Sequence, residues 1–138
     1  MNWKLIFSLS LFGLAMAFAT VGFIPSKTEP LSWLVIFIIC AYLIAKYAPG
    51  KYFLHGLMVS LVNSIWITAA HILFYTTYMN NHPEMASMSK NMPLQDHPRI
   101  MMLITGPVFG LISGLVLGLL AFIASKMVHK TITVPKTT

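Results

Sequence analysis

The chain has 138 residues, of which 57% are hydrophobic and 9% charged, and its mean hydropathy is +0.78. That balance excludes a soluble globular domain, which needs far more polar surface to stay in water. A formal charge of +6 invites nucleic acid, but the basic residues flank apolar runs, so no nucleic acid is expected and the lipid bilayer is the partner.

A hydrocarbon core about 30 Å thick is crossed by about 20 apolar residues in a helix. Four runs meet that length, at 5–24, 31–48, 52–79 and 100–125, and only Lys46 brings a formal charge into any of them. The fold expected is all-α, an antiparallel bundle of four transmembrane helices forming one integral membrane domain over 1–138.

In the first run, Lys4 precedes apolar residues and then Ala15-Met16-Ala17 or Ala17-Phe18-Ala19, as in a secretory signal with a cleavage site. The apolar run continues past both candidate sites, which favours a retained span. Pro25 closes this helix and Pro30 opens the next. So short a loop predicts that the first two helices are antiparallel neighbours. Cys40, the single cysteine, lies within the second run and reads as a small core residue. Ala48-Pro49-Gly50-Lys51 is a tight turn, which predicts a second hairpin between the second and third helices.

The third run carries the polar residues. Ser60, Asn63, Ser64, Thr68, His71 and Tyr75 fall on one stripe of a helix with 3.6 residues per turn. Lipid offers no hydrogen-bond partners, so the stripe must face the bundle interior or a watery crevice. Asn63 is expected to supply an interhelical hydrogen bond. His71 is a candidate proton or metal group, because ionisable residues within a membrane are functional candidates. The plainer reading is a neutral imidazole bonded to a neighbouring helix, since no acid accompanies it in the run. His55 reads as an interfacial residue.

The outer loop, 80–99, gathers Met85, Met88 and Met92 with His82 and His97. Thioether and imidazole together suit Cu(I), so copper is a candidate cofactor there. The competing reading is a short amphipathic helix opened by Asn81 or His82 with Pro83 at its first position, ended by Asn91 and Pro93, and carrying the three methionines on one face. Arg99 reads as an interfacial anchor within reach of Asp96.

The fourth run places Gly106, Gly110, Gly114 and Gly118 four residues apart, on one face that another backbone can approach closely. Gly13 with Ala17, or Ala15 with Ala19, are candidate partners on the first helix; self-association is the alternative use of the glycine face. Gly106-Pro107 is expected to loosen this helix. The cytoplasmic tail, 126–138, ends in a Thr-rich basic stretch over 131–138 that is expected to be disordered.

The charges sort by side. Lys4, Lys46, Lys51, Lys126, Lys130 and Lys136 fall on one side, while Lys27, Lys90 and Arg99 share the other with Glu29, Glu84 and Asp96. The positive-inside rule then predicts an inner (plasma) membrane protein with both termini cytoplasmic. Trp3, Tyr47 and Tyr52 mark the inner interface, and Trp33, Tyr75 and Tyr78 the outer.

In this pattern of spans and loops the whole chain resembles the small four-span integral membrane proteins of bacteria. The segment from Asn63 to His71 and the glycine series are the parts to compare. The resemblance implies architecture and no activity. With no nucleophile elbow, phosphate-binding loop, His-Glu-x-x-His or carboxylate pair, an enzyme is not expected. The leading expectation is a non-enzymatic subunit that packs with itself or with a larger membrane protein through the glycine face. A small oligomeric transporter or channel lined by the polar stripe is the alternative, and an outward-facing copper-binding protein a further one.

Overall fold

The computed structural model describes residues 1–128; the tail from 129 onward, with Lys130 and Lys136, lies outside the described residues. The described chain is all helix, with α1 Trp3–Gly22, α2 Glu29–Tyr47, α3 Tyr52–Leu73, α4 Tyr75–Asn81, α5 Pro83–Ser89 and α6 Pro98–Met127. α1, α2, α3 and α6 are long and apolar enough to cross a bilayer. This is a multi-pass membrane protein. The end at which α1 begins is called here the terminal end, and that of α4 and α5 the loop end.

Each helix starts and stops for a local reason. The Asn2 side chain accepts a hydrogen bond from the Leu5 amide and caps α1. Glu29 stands in the first turn of α2 beside Pro30, where an acid suits the positive end of the helix dipole. The turn into α3 needs positive φ at Gly50 (153°) and at Lys51 (51°). Pro98 opens α6, which continues through Pro107, where looser helix was expected.

Two expectations about neighbours are corrected. α1 and α2 follow one another through a short loop, yet α1 packs chiefly on α3, and α2 chiefly on α6. α2 touches α1 and α3 only lightly. The most extensive seam joins α3 to α6. Small residues decide this order. A Cβ at Gly118 would stand 2.7 Å from the Phe53 carbonyl oxygen, one at Gly114 2.8 Å from Leu57, and one at Gly56 2.7 Å from the Gly118 backbone. Gly110 lies against Ser64, and Gly106 against Thr68. The glycine face of α6 therefore meets α3, rather than Gly13 or Ala15 of α1. In lipid, where apolar burial between helices drives little, backbone approach of this kind holds a seam together.

The shared apolar core lies toward the terminal end. Ile6 and Leu9 of α1, Cys40, Ala41 and Ile44 of α2, Val59 of α3, and Leu117 and Ala121 of α6 meet there with Ala48. α2 has no buried residue before Cys40. Leu31, Leu34, Val35 and Ile38 present apolar side chains outward, while Ile36 and Phe37 pack partly buried against the core, so it is the opening turns of α2, before Ile36, that lack core contacts.

Candidate functional site

The third run does not continue as one helix to residue 79. It breaks at Phe74, whose φ of −105° and ψ of 33° leave the helical region, and Tyr75 begins a separate α4. Tyr75 thus leaves the polar stripe. The break has a consequence for the rings on either side. Residues seven apart in an unbroken helix are separated by about 10.5 Å along the axis, yet the rings of His71 and Tyr78 stack with centroids 4.0 Å apart. Tyr78 stacks in turn on His82, at 4.4 Å. Three rings from α3, α4 and the start of α5 form one column at the loop end.

Each ring is tied to its surroundings. His71 Nε2 lies 3.2 Å from Thr20 Oγ1. The Thr20 hydroxyl donates to the Ala17 carbonyl, which makes His71 Nε2–H the donor in this pair. This is the neighbouring-helix bond expected of a neutral histidine. Tyr78 is buried, and burial first, then the Glu29 carboxylate, push its phenol up to about 12. Next to it, the Asn81 side chain donates to the Val21 carbonyl at 2.9 Å, fastening the end of α4 to α1.

His82 carries the chemistry of the column. Its side chain is 0% exposed, and its Nδ1 lies 3.0 Å from the Tyr78 carbonyl oxygen. A carbonyl can only accept, so Nδ1 carries the proton. Nε2 then faces Glu29 Oε2 at 3.6 Å, and Glu29 Oε1 accepts from the Trp33 indole at 3.4 Å. At 3.6 Å the His82–Glu29 contact is too long for a hydrogen bond, and Nε2 is buried without one. Two protonation states differ sharply here. With one proton on Nε2 or on the carboxyl, the pair attracts and can close to a charge-assisted hydrogen bond. Without it, an imidazole lone pair faces a carboxylate lone pair. Glu29 is 23% exposed, which gives that proton a route to water.

This arrangement corrects several expectations. No acid lies in the run of His71, and the Glu29 carboxylate meets His82, two stacked rings away from it. His82 faces inward, while Met85 and Met88 of α5 are exposed, so His82 and the methionines do not present a common face. α5 ends at Ser89, leaving Met92 outside it, and its cap His82 makes no side-chain cap bond. His97 is exposed at the start of α6. Among the described residues no three His, Cys, Asp or Glu side chains gather as a metal site.

The remaining stripe residues divide between two seams. Ser60 reaches Ser113 of α6 at 3.0 Å, and Ser64 and Thr68 lie against Gly110 and Gly106. Asn63 turns the other way, against Gly13 of α1, and neither its amide nitrogen nor its oxygen has a partner. The interhelical bond expected of it is absent. His55, expected at the interface, is buried; its Nε2 accepts from the Asn2 amide and its Nδ1 donates to the Lys51 carbonyl, both at 3.0 Å.

Glu29, Tyr78, Thr20 and Asn81 were not among the sequence candidates. The signal for Glu29 was available: in an up-and-down bundle the loops at 25–30 and 80–99 share one end, so a lone acid in the first faces the histidines of the second. Comparisons with the models of known protein families, with curated proteins and with solved structures find no match to this chain.

Proposed function

We propose that this protein is a small, non-enzymatic subunit of a bacterial inner membrane, with both termini cytoplasmic, and that its outward end responds to protons through His82 and Glu29. The observation that carries the reading is the committed tautomer of His82. Its Nδ1 proton is held by Tyr78 and its free Nε2 faces a carboxylate at 3.6 Å. Glu29 belongs to the opening turns of α2, which carry no buried residue. A proton taken up between the two groups would tether α2 to the segment joining α4 and α5, and its loss would release it. The groups facing His82 are Tyr78 from α4 and Glu29 from α2, with His71 of α3 behind Tyr78.

The ring of His82 is fully enclosed, so a substrate has no access to it. Association with a partner cannot rest on the glycine face, which α3 already covers; the exposed first half of α2 is the surface this reading offers instead. Nitrogen NMR of the histidine rings in nanodiscs tests the proton. The expected result is an Nε2 signal of His82 that moves with pH and whose movement changes in Glu29→Gln. An Nε2 signal indifferent to both pH and Glu29→Gln would overturn the reading.

A further inference from the structure

A cleft of about 350 Å³ opens at the loop end between α4 and the start of α6, lined by Tyr75, Asp96, His97, Pro98, Arg99 and Ile100. The cleft is broadly open, so a ligand would lie along it rather than be enclosed. Its lining combines opposite charges with an aromatic ring and an apolar side chain. Asp96 and Arg99 are only three residues apart, yet they do not pair: among the described residues the one acid–base contact within 4.0 Å is His82–Glu29. The Arg99 guanidinium lies instead over the Tyr75 ring, 5.7 Å from its centroid. An anion and a cation thus stand on one cleft without satisfying each other.

Depth narrows the ligand. α6 has 30 residues, about 45 Å of helix. A core of about 30 Å leaves roughly 7 Å beyond it at each end of a centred helix, within the headgroup layer. Arg99 lies there, while Ile100 and Leu103, both exposed, begin the lipid-facing surface just below.

We infer that this cleft binds a zwitterionic phosphoethanolamine group, supplied by an ethanolamine phospholipid. Arg99 offers the fixed cation for the phosphate, and His97 a ring N–H at its side. Asp96 accepts from the primary ammonium, which a choline group cannot donate. The acyl chains leave along Ile100 and Leu103. The site lies apart from the His82–Glu29 contact and does not depend on it.

Native mass spectrometry of the delipidated full chain tests this, with phosphatidylethanolamine, phosphatidylcholine and phosphatidylglycerol added separately. The expected result is retention of the ethanolamine lipid about tenfold above the choline lipid. Arg99→Gln should lower retention of all three. Asp96→Asn should abolish the preference for ethanolamine over choline while leaving the glycerol lipid bound. Both side chains are exposed, and circular dichroism confirms that the variants keep their helices. Equal retention of the three lipids, an Asp96→Asn variant that keeps the preference for ethanolamine over choline, or an Arg99→Gln variant that retains all three as the native chain does, would overturn the assignment. Soluble phosphoethanolamine separates the two sources of this chemistry. Weak competition at millimolar concentration supports the lipid; saturation at micromolar concentration, without acyl chains, contradicts it.

Discussion

Asn63 and Tyr78 show how much one side chain can decide in this bundle. Asn63 is 3% exposed, pressed on Gly13, and has both amide atoms unpaired. An unmet buried amide costs about 1–3 kcal/mol, so an apolar side chain of similar size removes a penalty rather than a bond. Asn63→Leu is therefore expected to keep or raise stability by about 1 kcal/mol, read from unfolding in bicelles; a clear loss would show that Asn63 has a partner. Tyr78 gives a pH test at the alkaline end. Its folded pKa is raised from 10.0 to about 12, so the fold prefers the neutral phenol. Its contribution is complete below the ordinary value and is lost as pH rises toward about 12. The difference in stability between the protein and Tyr78→Phe should therefore narrow or reverse across that window, whereas a constant difference would exclude a titrating Tyr78.

At the scale of elements, the α3–α6 seam is the part that tolerates least. A methyl at Gly118 meets the Phe53 carbonyl, which is backbone and cannot swing away. Gly118→Ala should cost about 1–3 kcal/mol. Gly22→Ala, where nothing lies within 4 Å, should change stability by less than about 0.5 kcal/mol. Similar effects from the two would contradict the seam. The atoms nearest a Cβ at Gly106 belong to the Thr68 side chain, its hydroxyl first, so Thr68→Ala should restore much of what Gly106→Ala loses.

The elements were mostly legible in the sequence because span length and glycine spacing are set locally by helix geometry. Pairing was less legible. The sequence shows that Gly106 to Gly118 need a close partner, but α1 and α3 both offer small or polar residues, and only packing distinguishes them. The break at Phe74 carries no proline or glycine to announce it. It came with the His71–Tyr78–His82 stack, a contact between residues that one straight helix would keep apart. For the same reason the sequence places His82 in a methionine loop and Glu29, distant from it along the chain, only among the outer-side charges.

For the whole molecule, a core gathered at the terminal end and a thinly held α2 at the loop end make two halves of unequal firmness. α1, α3 and α6 form the firm part through their seams. The opening turns of α2 meet the segment joining α4 and α5 at the Glu29–His82 contact, with exposed apolar residues around it. Since the glycine face is enclosed, Gly114→Leu should unfold the chain rather than dissociate an assembly, as native mass spectrometry against unfolding curves would show. The most direct measurement of the central claim is the distance between spin labels at Leu31 and Met85, two exposed positions on α2 and α5, followed by electron paramagnetic resonance across pH in nanodiscs. The distance should lengthen and broaden as the proton between His82 and Glu29 is withdrawn, and should no longer respond to pH in Glu29→Gln. A distance that stays constant across pH in the native chain, or that responds equally in Glu29→Gln, would contradict it.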